Sequence, residues 1–337
     1  MKKILITGGT GFIGSNMINF LLLKKNYFVF NLDKKIQKKN IFNSSHKNIL
    51  QFKGNILNNN ILSNIFKKYK FNYIINFAAE THVDKSIHNS KKFYNSNVLG
   101  VLNILENIKK TKINTKFIHI STDEVFGSLK KNEKSFDENS NFDPNNPYAA
   151  SKAASDLLVK AYSKTHNINS IVTNCSNNFG EHQHPEKLIP LVILRCLSGS
   201  SIPVYGNGKN IREWIYVKDH CEAIFKVITN GKKHSRYLIG SGIEITNIQL
   251  IKKICKILDF KIPQTNQYKN LIEFIKDRPS HDFRYSINSK KIKSELNFKL
   301  SYSFDQALEN TIDHYIENKN YYLNIYTKSK WFKKHYG

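Results

Sequence analysis

The sequence predicts an α/β fold, in which a doubly wound parallel sheet is joined by a smaller C-terminal lobe whose segments interleave with it. Three observations support this prediction. Short apolar runs alternate with longer helical patterns over the first half of the chain, a glycine-rich turn follows the first run, and the alternation stops near residue 174. Such alternation is typical of βαβ units, in which a helix connects two parallel strands.

The predicted elements follow one another at regular spacing. Strands are predicted at 4–7, 28–32, 49–52, 73–77, 117–121 and 170–173. Helices are predicted between them, at 14–25, 60–69, 91–110 and 147–164. Right-handed connections between parallel strands would then place helices on the sheet in a doubly wound arrangement.

Prolines and glycines punctuate the chain after residue 174, which indicates shorter elements and loops. We expect a first domain at 1–174 and a smaller lobe formed by 175–213, 241–282 and 299–337. Two segments, near 214–240 and 283–298, are expected to return to the first domain. Strand-like runs at 214–217 and 237–239 are expected to extend its sheet.

The formal net charge of +26 over 337 residues raises the question of a polyanionic partner. A basic field attracts nucleic acids and anionic membranes. The lysines are spread along the chain, however, whereas a nucleic-acid-binding module needs a clustered basic face. We therefore predict neither nucleic acid nor membrane as a partner, and an anionic small-molecule substrate is compatible with the charge.

The four cysteines, Cys175, Cys196, Cys221 and Cys255, show no CxxC spacing and no nearby pair of histidines. This pattern argues against a disulfide framework and against a zinc site, so no metal is predicted. Glycines interrupt the first apolar run after four residues, too early for a secretion signal, and no apolar stretch approaches the length of a membrane span. The expected location is the cytoplasm.

The glycine-rich turn at 7–14 reads TGGTGFIG and separates the first strand from the first helix. Glycines at 8, 11 and 14 permit a tight turn and let backbone N–H groups approach a pyrophosphate at the helix N-terminus. Asp33 ends the second predicted strand, where a carboxylate binds ribose hydroxyls and repels a 2′-phosphate. This context predicts a Rossmann dinucleotide site that prefers NAD to NADP, although Lys34 and Lys35 weaken the preference.

Tyr148 and Lys152 lie four residues apart near the start of a predicted helix, so their side chains share one face. An ammonium close to a phenol favours the phenolate, which would lower the pKa of Tyr148 and make it a base at neutral pH. The alternative is two ordinary surface side chains. Behind a dinucleotide turn, we favour a catalytic pair beside the nicotinamide.

Thr122, Asp123 and Glu124 follow the predicted strand at 117–121, at the edge of the sheet where ligands of such folds bind. Adjacent carboxylates in a partly buried site repel each other, so one is biased toward holding a proton while the other stays ionised. The elimination of water from a sugar needs one acid and one base. A solvated turn is the alternative interpretation.

Several longer stretches resemble the nucleotide-sugar 4,6-dehydratases of the extended short-chain dehydrogenase/reductase family. They are TGGTGFIGS at 7–15, FAAETHVDKSI at 77–87, STDEVFG at 121–127, NPYAASKAASD at 146–156, CSNNFG at 175–180, HPEKLIPL at 184–191, PVYGNGKNIREWIYVKDH at 203–220 and DRPSHDFRY at 277–285. The stretches STDE and HPEKLIP are the most specific, because related epimerases typically have a small hydroxyl residue in place of the carboxylate pair.

The resemblance implies a lyase of deoxysugar biosynthesis, a hydro-lyase that dehydrates dTDP-glucose to its 4-keto-6-deoxy form with bound NAD. Tyr148, assisted by Lys152, is implied to take the proton of the 4-hydroxyl while the C4 hydride passes to NAD. Glu124 then removes the C5 proton, Asp123 protonates the departing 6-hydroxyl, and the hydride returns to C6. Thr122 is implied to hydrogen-bond the 4-oxygen of the sugar.

The resemblance also implies residues around both ligands, and a homodimer joined through the helices near 91–110 and 147–164. The implied cofactor contacts are Gly8, Gly11, Phe12, Ile13, Gly14, Asp33, Asn55, Ile56, Ala78, Ala79, Thr81, Ser96, Tyr148, Lys152 and Asn177. The implied substrate contacts are Thr81, Thr122, Asn177, Lys187, Leu188, Pro203, Tyr205, Arg212, Asn247, Arg278 and His281. Their cations suit a diphosphate, and the Tyr205 ring suits stacking on the base.

Three other functions stay open at this point: a UDP-glucose 4,6-dehydratase, a nucleotide-sugar C4 epimerase, and a dinucleotide-sensing protein without catalysis. The carboxylate pair distinguishes a dehydratase from an epimerase, which needs no such pair. Several positions depart from the family pattern, among them Asn55 and Asn174. Asn55 stands where relatives usually have Asp, and its amide oxygen can still accept a hydrogen bond from adenine, while Asn174 stands where relatives commonly have Arg.

Overall fold

The structure of the protein, a computed structural model, describes residues 1–36, 42, 44–277 and 279–328. The strands of the described residues are β1 (Lys2–Thr7), β2 (Tyr27–Asp33), β3 (Ile49–Lys53), β4 (Tyr73–Asn76), β5 (Lys116–Thr122), β6 (Ser170–Cys175), β7 (Asn177–Phe179), β8 (Ile202–Tyr205), β9 (Ile211–Tyr216), β10 (Arg236–Ile239), β11 (Glu244–Thr246) and β12 (Ile272–Ile275). The helices are α1 (Phe12–Leu22), α2 (Asn59–Lys68), α3 (Val83–His88), α4 (Ser90–Tyr94), α5 (Gly100–Thr111), α6 (Pro147–Thr165), α7 (Leu188–Ser198), α8 (Val217–Asn230), α9 (Asn247–Lys261), α10 (Lys290–Leu296), α11 (Phe304–Glu317) and α12 (Lys319–Lys328).

Seven of the described strands form a parallel main sheet in the order β10-β6-β5-β4-β1-β2-β3. The chain passes from β1 to β2 and β3 on one side, and resumes with β4 on the other side of β1. This reversal confirms the predicted doubly wound sheet. In such sheets ligands bind beyond the carboxyl ends of the strands, near the point of reversal.

The main sheet is buried because helices pack on both of its faces. Ile4 and Ile6 of β1 are fully buried in one apolar cluster with residues of α1 and α8. Leu5, which points to the opposite face, is fully buried in a second cluster with residues of α2, α5 and α6. The apolar run of β1 therefore serves two cores at once, as expected of a central parallel strand.

The predicted return of the segment at 214–217 to the main sheet is wrong. Strand β9 instead pairs with β7 and β11 in a separate three-stranded sheet. The buried Glu213 side chain holds β9 in this place, since it accepts the N–H groups of Gly242, just before β11, and of Ile287, each at 2.9 Å. The run at 237–239 does join the main sheet, as β10 beside β6.

The single helix predicted at 91–110 is divided in the structure. A π-helical turn, Asn95–Leu99, separates α4 from α5. Asn97 in this turn accepts the N–H of Glu80 at 2.8 Å, and donates to the Glu80 carbonyl at 3.0 Å and to the Ser151 hydroxyl at 2.9 Å. Single π-helical turns are rare and are frequently found at functional sites. Here the turn joins the loop after β4 to α6.

The smaller lobe is built around α7. Helices α9 and α11 pack against it, and β8 and β12 form a two-stranded parallel sheet beside it. The Tyr315 hydroxyl of α11 donates to the carbonyl of Gln183, so the C-terminal helices support the loop that precedes α7. Among the described helices, none combines the length and apolar character that a membrane crossing needs. The domain limits given above stay a prediction.

We predict that the start of α11 contributes measurably to stability. The Ser303 hydroxyl accepts the N–H of Gln306 at 3.3 Å, and the Ser303 N–H donates to the Gln306 side-chain oxygen at 3.2 Å, which forms a capping box. The hydroxyl also donates to that oxygen at 3.0 Å. Ser303→Ala should lower the free energy of unfolding in urea by about 1 kcal/mol, because both bonds of the hydroxyl are lost. Ser301→Ala, at an exposed position, is the matched control. Equal losses of unfolding free energy in the two variants would contradict the capping role.

Candidate active site

The glycine-rich turn lies at the carboxyl edge of the main sheet, below the start of α1. Gly8 has a φ of +74°, and a side chain there would come within 2.6 Å of the Ala78 backbone nitrogen. A side chain at Gly14 would come within 2.4 Å of the Gly8 carbonyl oxygen. No described side chain caps α1, so the N–H groups of its first turn are available to a ligand. This geometry fits the pyrophosphate of a dinucleotide.

Asp33 is held at the rim of the same turn. Its two carboxylate oxygens accept the N–H of Thr10 at 3.0 Å and the N–H of Lys35 at 3.2 Å. The neighbouring Lys34 forms an ion pair with Glu80 at 3.3 Å. Lys34, whose charge was expected to weaken the preference for NAD, is thus paired with a carboxylate. Asp33 is then left to select against a 2′-phosphate.

A cleft of about 550 Å³ lies above these groups and brings most of the predicted site residues together. Those that line it are Gly8, Gly11, Phe12, Ile13, Gly14, Asp33, Asn55, Ile56, Ala78, Ala79, Thr81, Ser96, Thr122, Asp123, Glu124, Tyr148, Lys152, Asn177 and Lys187. The predicted catalytic side chains and the predicted cofactor contacts therefore share one cavity.

Several predicted substrate residues do not line this cleft. They are Leu188, Pro203, Tyr205, Arg212, Asn247 and His281, while Arg278 lies outside the described residues. Two of them form a group of their own, because the Tyr205 and His281 rings lie 6.1 Å apart and His281 contacts Asp277 at 2.6 Å. The roles of these residues toward a substrate stay predictions.

Asp123 is the most strongly perturbed carboxyl of the cleft. It begins a 3-10 turn, Asp123–Phe126, directly after β5, and only 2% of it is exposed. Burial raises the pKa of this carboxyl well above its ordinary value, and the charges of Glu124 and Glu213 raise it further. The Thr122 hydroxyl donates to Oδ1 at 3.2 Å, whereas no described group hydrogen-bonds Oδ2. The carboxyl is suited to hold a proton and to donate it to a ligand.

The 3-10 turn also explains how two adjacent carboxyls enter one cleft. The Thr122 hydroxyl caps the turn by accepting the N–H of Glu124 at 3.3 Å. The turn ends at Gly127, whose φ of +87° and contact with the Asp143 carbonyl exclude a side chain. Asp123 is thereby buried, while Glu124 remains half-buried at the cleft surface.

Tyr148 and Lys152 project from the first turns of α6. The Asn146 side chain caps this helix by accepting the N–H of Ala149 at 2.9 Å. Both catalytic candidates are buried, with exposures of 7% for Tyr148 and 3% for Lys152. The Lys152 ammonium donates to the Ile120 carbonyl at 2.7 Å, and burial lowers its pKa to about 8.

The expected effect of Lys152 on Tyr148 is wrong for the ligand-free protein. Burial raises the pKa of the Tyr148 phenol well above its ordinary value, and the negative charge of Glu124 acts in the same direction. The lysine does not offset these effects, because its ammonium is directed toward the Ile120 carbonyl. The phenol therefore holds its proton at neutral pH before ligands enter.

The sequence-based prediction missed a charged cluster around Glu186, which lines the cleft together with His184. This carboxylate lies 2.6 Å from the Lys85 ammonium, 3.5 Å from His82 and 3.7 Å from His184. Burial lowers the pKa of His82 to about 4, so this imidazole is uncharged at neutral pH. The Lys85 ammonium is then the cation that pairs with Glu186. The cluster ties the loop after β4 to the loop before α7. The stretches FAAETHVDKSI and HPEKLIPL contain all four residues and were the available signal.

Asn55 and Asn174, which depart from the family pattern, both have a structural role here. The Asn55 side-chain oxygen accepts the N–H of Leu57 at 3.1 Å and holds a local turn at the cleft. The Asn174 amide donates to the Thr122 carbonyl at 3.0 Å and to an Asp156 carboxylate oxygen at 2.9 Å.

Within the described residues, no group of three or more His, Cys, Asp and Glu side chains is arranged to hold a metal ion.

Comparison with known proteins gives matches over nearly the whole chain. Residues 5–311 match the family model described as GDP-mannose 4,6 dehydratase. The dTDP-glucose 4,6-dehydratase of Haemophilus influenzae is 39% identical over 337 residues, which cover 95% of this chain and 99% of that relative. The sequence similarity thus extends over both lobes.

Two solved structures of dTDP-glucose 4,6-dehydratases share the fold. The enzyme from Bacillus anthracis, in complex with NAD, is 38% identical with a TM-score of 0.87, over 96% of this chain and 100% of that one. The enzyme from Streptomyces venezuelae, with NAD and TYD bound, is 35% identical with a TM-score of 0.87, over 96% of this chain and 99% of that one. The chain therefore belongs to the nucleotide-sugar 4,6-dehydratase family.

Proposed function

We propose that this chain is an NAD-dependent hydro-lyase that converts dTDP-glucose to dTDP-4-keto-6-deoxyglucose. The observation that supports this most directly is the buried Asp123, whose carboxyl is suited to keep its proton beside the half-buried Glu124. This pair lines the same cleft as Tyr148, Lys152 and the glycine-rich turn. Relatives that match over nearly the whole chain are named dTDP-glucose 4,6-dehydratase, and NAD is present in two solved structures of such enzymes.

The residues of the cleft fit a bound dinucleotide, with Gly8, Gly11 and Gly14 around its pyrophosphate and Asp33 at its ribose. When bound there, NAD supplies the acceptor for the C4 hydride and the source of the hydride returned to C6. It is regenerated in each cycle, so the enzyme needs no second redox substrate.

The protein's own groups would move the protons. Tyr148 must first lose its own proton, which the positive charge of a bound NAD would favour, and its phenolate then takes the proton of the sugar 4-hydroxyl. The Thr122 hydroxyl would donate to the 4-oxygen as the ketone forms. The ketone acidifies the neighbouring C5–H bond, and Glu124 removes that proton. Asp123 donates its proton to the 6-hydroxyl, which leaves as water. Donor and acceptor are then consecutive residues with different degrees of burial.

Two related activities are less well supported. A nucleotide-sugar C4 epimerase has no step that uses a proton-holding carboxyl beside a second carboxyl, yet the cleft contains both Asp123 and Glu124. A UDP-glucose dehydratase would need the same cleft chemistry and differs in the base. The names of the relatives favour dTDP over UDP.

Product analysis with dTDP-glucose and UDP-glucose in parallel tests the proposed function. We expect a 4-keto-6-deoxy sugar from dTDP-glucose, detected by its absorbance in alkali and by mass spectrometry, without added NAD. A 4-epimer as product, or a clear preference for UDP-glucose, would select one of the alternatives. NAD binding without any product would contradict catalysis.

The variant Asp123→Asn should separate elimination from oxidation. Without a proton to donate, we expect loss of water to slow by about 10²–10³-fold, while C4 oxidation changes little. Transient NADH should accumulate in a single turnover, because the step that consumes it is delayed. Asp305→Asn, which removes an exposed carboxylate of α11, is the control. Equal loss of NADH formation and product would contradict the role of Asp123 as the acid.

We also infer a homodimer formed through α3 to α6. Large apolar side chains on these neighbouring helices are exposed, with fractions of 42% for Ile87, 48% for Leu99 and 53% for Leu157. The helices pack against one another, so these side chains lie on adjacent elements. Exposed apolar surface of this kind marks association sites, and a second copy of the chain would cover it.

The homodimer predicts that charge on this surface produces monomers. The double variant Leu99→Glu with Leu157→Glu should give the monomer mass in light scattering, because two desolvated carboxylates in each copy would oppose association. Phe260→Glu is the matched control, since Phe260 is 86% exposed at the end of α9. A wild-type monomer, or a dimer that survives the double variant, would contradict this interface.

We infer a cytoplasmic location from the state of the cysteines. Cys175, Cys196, Cys221 and Cys255 are buried free thiols in the described structure. Free thiols in such number are typical of a reducing compartment.

A further inference from the structure

A buried polar network connects the catalytic helix α6 with the ends of β5 and β6. Asp156 follows Lys152 by one helical turn and is fully buried. Neither Asp156 nor its partner Asn174 lines the cleft, and the catalytic steps given above use neither of them. A fully buried carboxylate is unfavourable unless its surroundings compensate for the lost hydration, so its contacts indicate what it does.

The first contact joins the two halves of the active site. The Asn174 amide nitrogen donates one hydrogen to Asp156 Oδ2 at 2.9 Å and the other to the Thr122 carbonyl at 3.0 Å. Thr122 precedes Asp123, and β5 and β6 are paired so that Asn174 lies opposite Ser121. One side chain thus links the helix that presents Tyr148 and Lys152 to the strand end that presents the acid.

The second contact involves the neutral imidazole of His119. Its Nε2 lies 3.1 Å from the Ser155 hydroxyl oxygen, 3.4 Å from the Lys152 ammonium and 3.5 Å from Asp156 Oδ1. The Asn76 amide nitrogen lies 3.2 Å from Nδ1, which places the ring proton on Nε2. Burial lowers the pKa of His119 well below its ordinary value, so the ring adds no charge at neutral pH.

Two cations balance the Asp156 charge. Burial raises the pKa of Asp156, and the positive charges of Lys152 and Arg236 oppose that effect. Arg236 belongs to β10 beside β6, and its guanidinium lies 4.6 Å from the centre of the Phe142 ring. Glu138 is the second carboxylate that acts on Arg236. The Asp156 carboxylate in turn favours the charged form of Lys152.

We propose that Asp156 is a positioning residue for the redox half of the reaction, acting through Lys152 and Asn174 without touching the substrate. Its carboxylate keeps the Lys152 ammonium charged beside the Ile120 carbonyl. Through Asn174 it also fixes the Thr122 carbonyl relative to α6. This inference rests on the proposed function, because it assigns Asp156 to one part of that reaction.

The variant Asp156→Asn tests the charge role while it preserves the shape. Its amide oxygen can still accept the hydrogen bond from Asn174, but the negative charge is lost. Lys152 then loses its proton at a lower pH, so the alkaline limb of the kcat profile should move down by at least about half a pH unit. KM for the sugar should change less than about twofold, since Asp156 makes no ligand contact. The other titratable groups that face Lys152, namely His119 and Cys175, are unchanged.

A second variant predicts a shift in the same direction. Arg236→Gln removes a cation that holds down the pKa of Asp156, so the carboxyl takes up its proton more readily and supports the Lys152 charge less. The alkaline limb should then move to lower pH, by no more than in Asp156→Asn. This variant decides the question if Asp156→Asn does not fold. Asp219→Asn is the matched control, because Asp219 is also buried but accepts the N–H of Ser301, at 2.7 Å, in a different part of the protein. Its alkaline limb should coincide with that of the wild type.

The outcomes separate this inference from the function on which it rests. An active wild type whose limb stays in place in both Asp156→Asn and Arg236→Gln would show that Asp156 only supports the fold, and would overturn the inference. A wild type that forms no 4-keto-6-deoxy product would overturn the proposed function and the inference together. Shifts of both limbs to lower pH, with the control unmoved, would establish the positioning role.

Discussion

The burial of the Asp123 carboxyl at the end of β5 is the constraint on which the active site depends. Removing this group from water raises its pKa, so it keeps a proton at a pH where an exposed aspartate has lost it. The raised pKa in the folded state means that stability falls as pH rises from the unfolded pKa toward the folded one. The same burial that lowers stability supplies the neutral acid that an elimination requires.

Most of the main sheet was predictable because its strands are apolar on both faces and its glycine-rich turn has a local cause. The predicted strand at 28–32 lies within the observed Tyr27–Asp33, for example. Strand β9 was not predictable in the same way, since its sheet is decided by Glu213 and backbone groups 29 and 74 residues away. The π-helical turn likewise depends on a contact between Asn97 and Glu80, in a preceding loop.

The composition of the candidate site was more predictable than its electrostatics. The spacing of Tyr148 and Lys152 correctly places both on one face of α6, and both line the cleft. The pKa of the Tyr148 phenol depends on how deeply the ring is buried and on the direction of the Lys152 ammonium. The four-residue spacing in the sequence determines neither of these. The cluster around Glu186 shows the same limit, because Lys85 of α3 and Glu186 of the loop before α7 are 101 residues apart in sequence.

Thr122 connects Tyr148 and Lys152, which serve the redox step, to Asp123 and Glu124, which move the protons of the elimination. The positions of these two pairs therefore depend on each other. Its carbonyl accepts the Asn174 amide that also bonds to Asp156 of α6, and its hydroxyl donates to Asp123 and caps the turn at Glu124. A shift of α6 relative to β5 would therefore displace the acid as well as Tyr148 and Lys152. The alignment of hydride transfer with proton transfer is thus a property of how α6, β5 and β6 are joined, and side chains outside the cleft contribute to it.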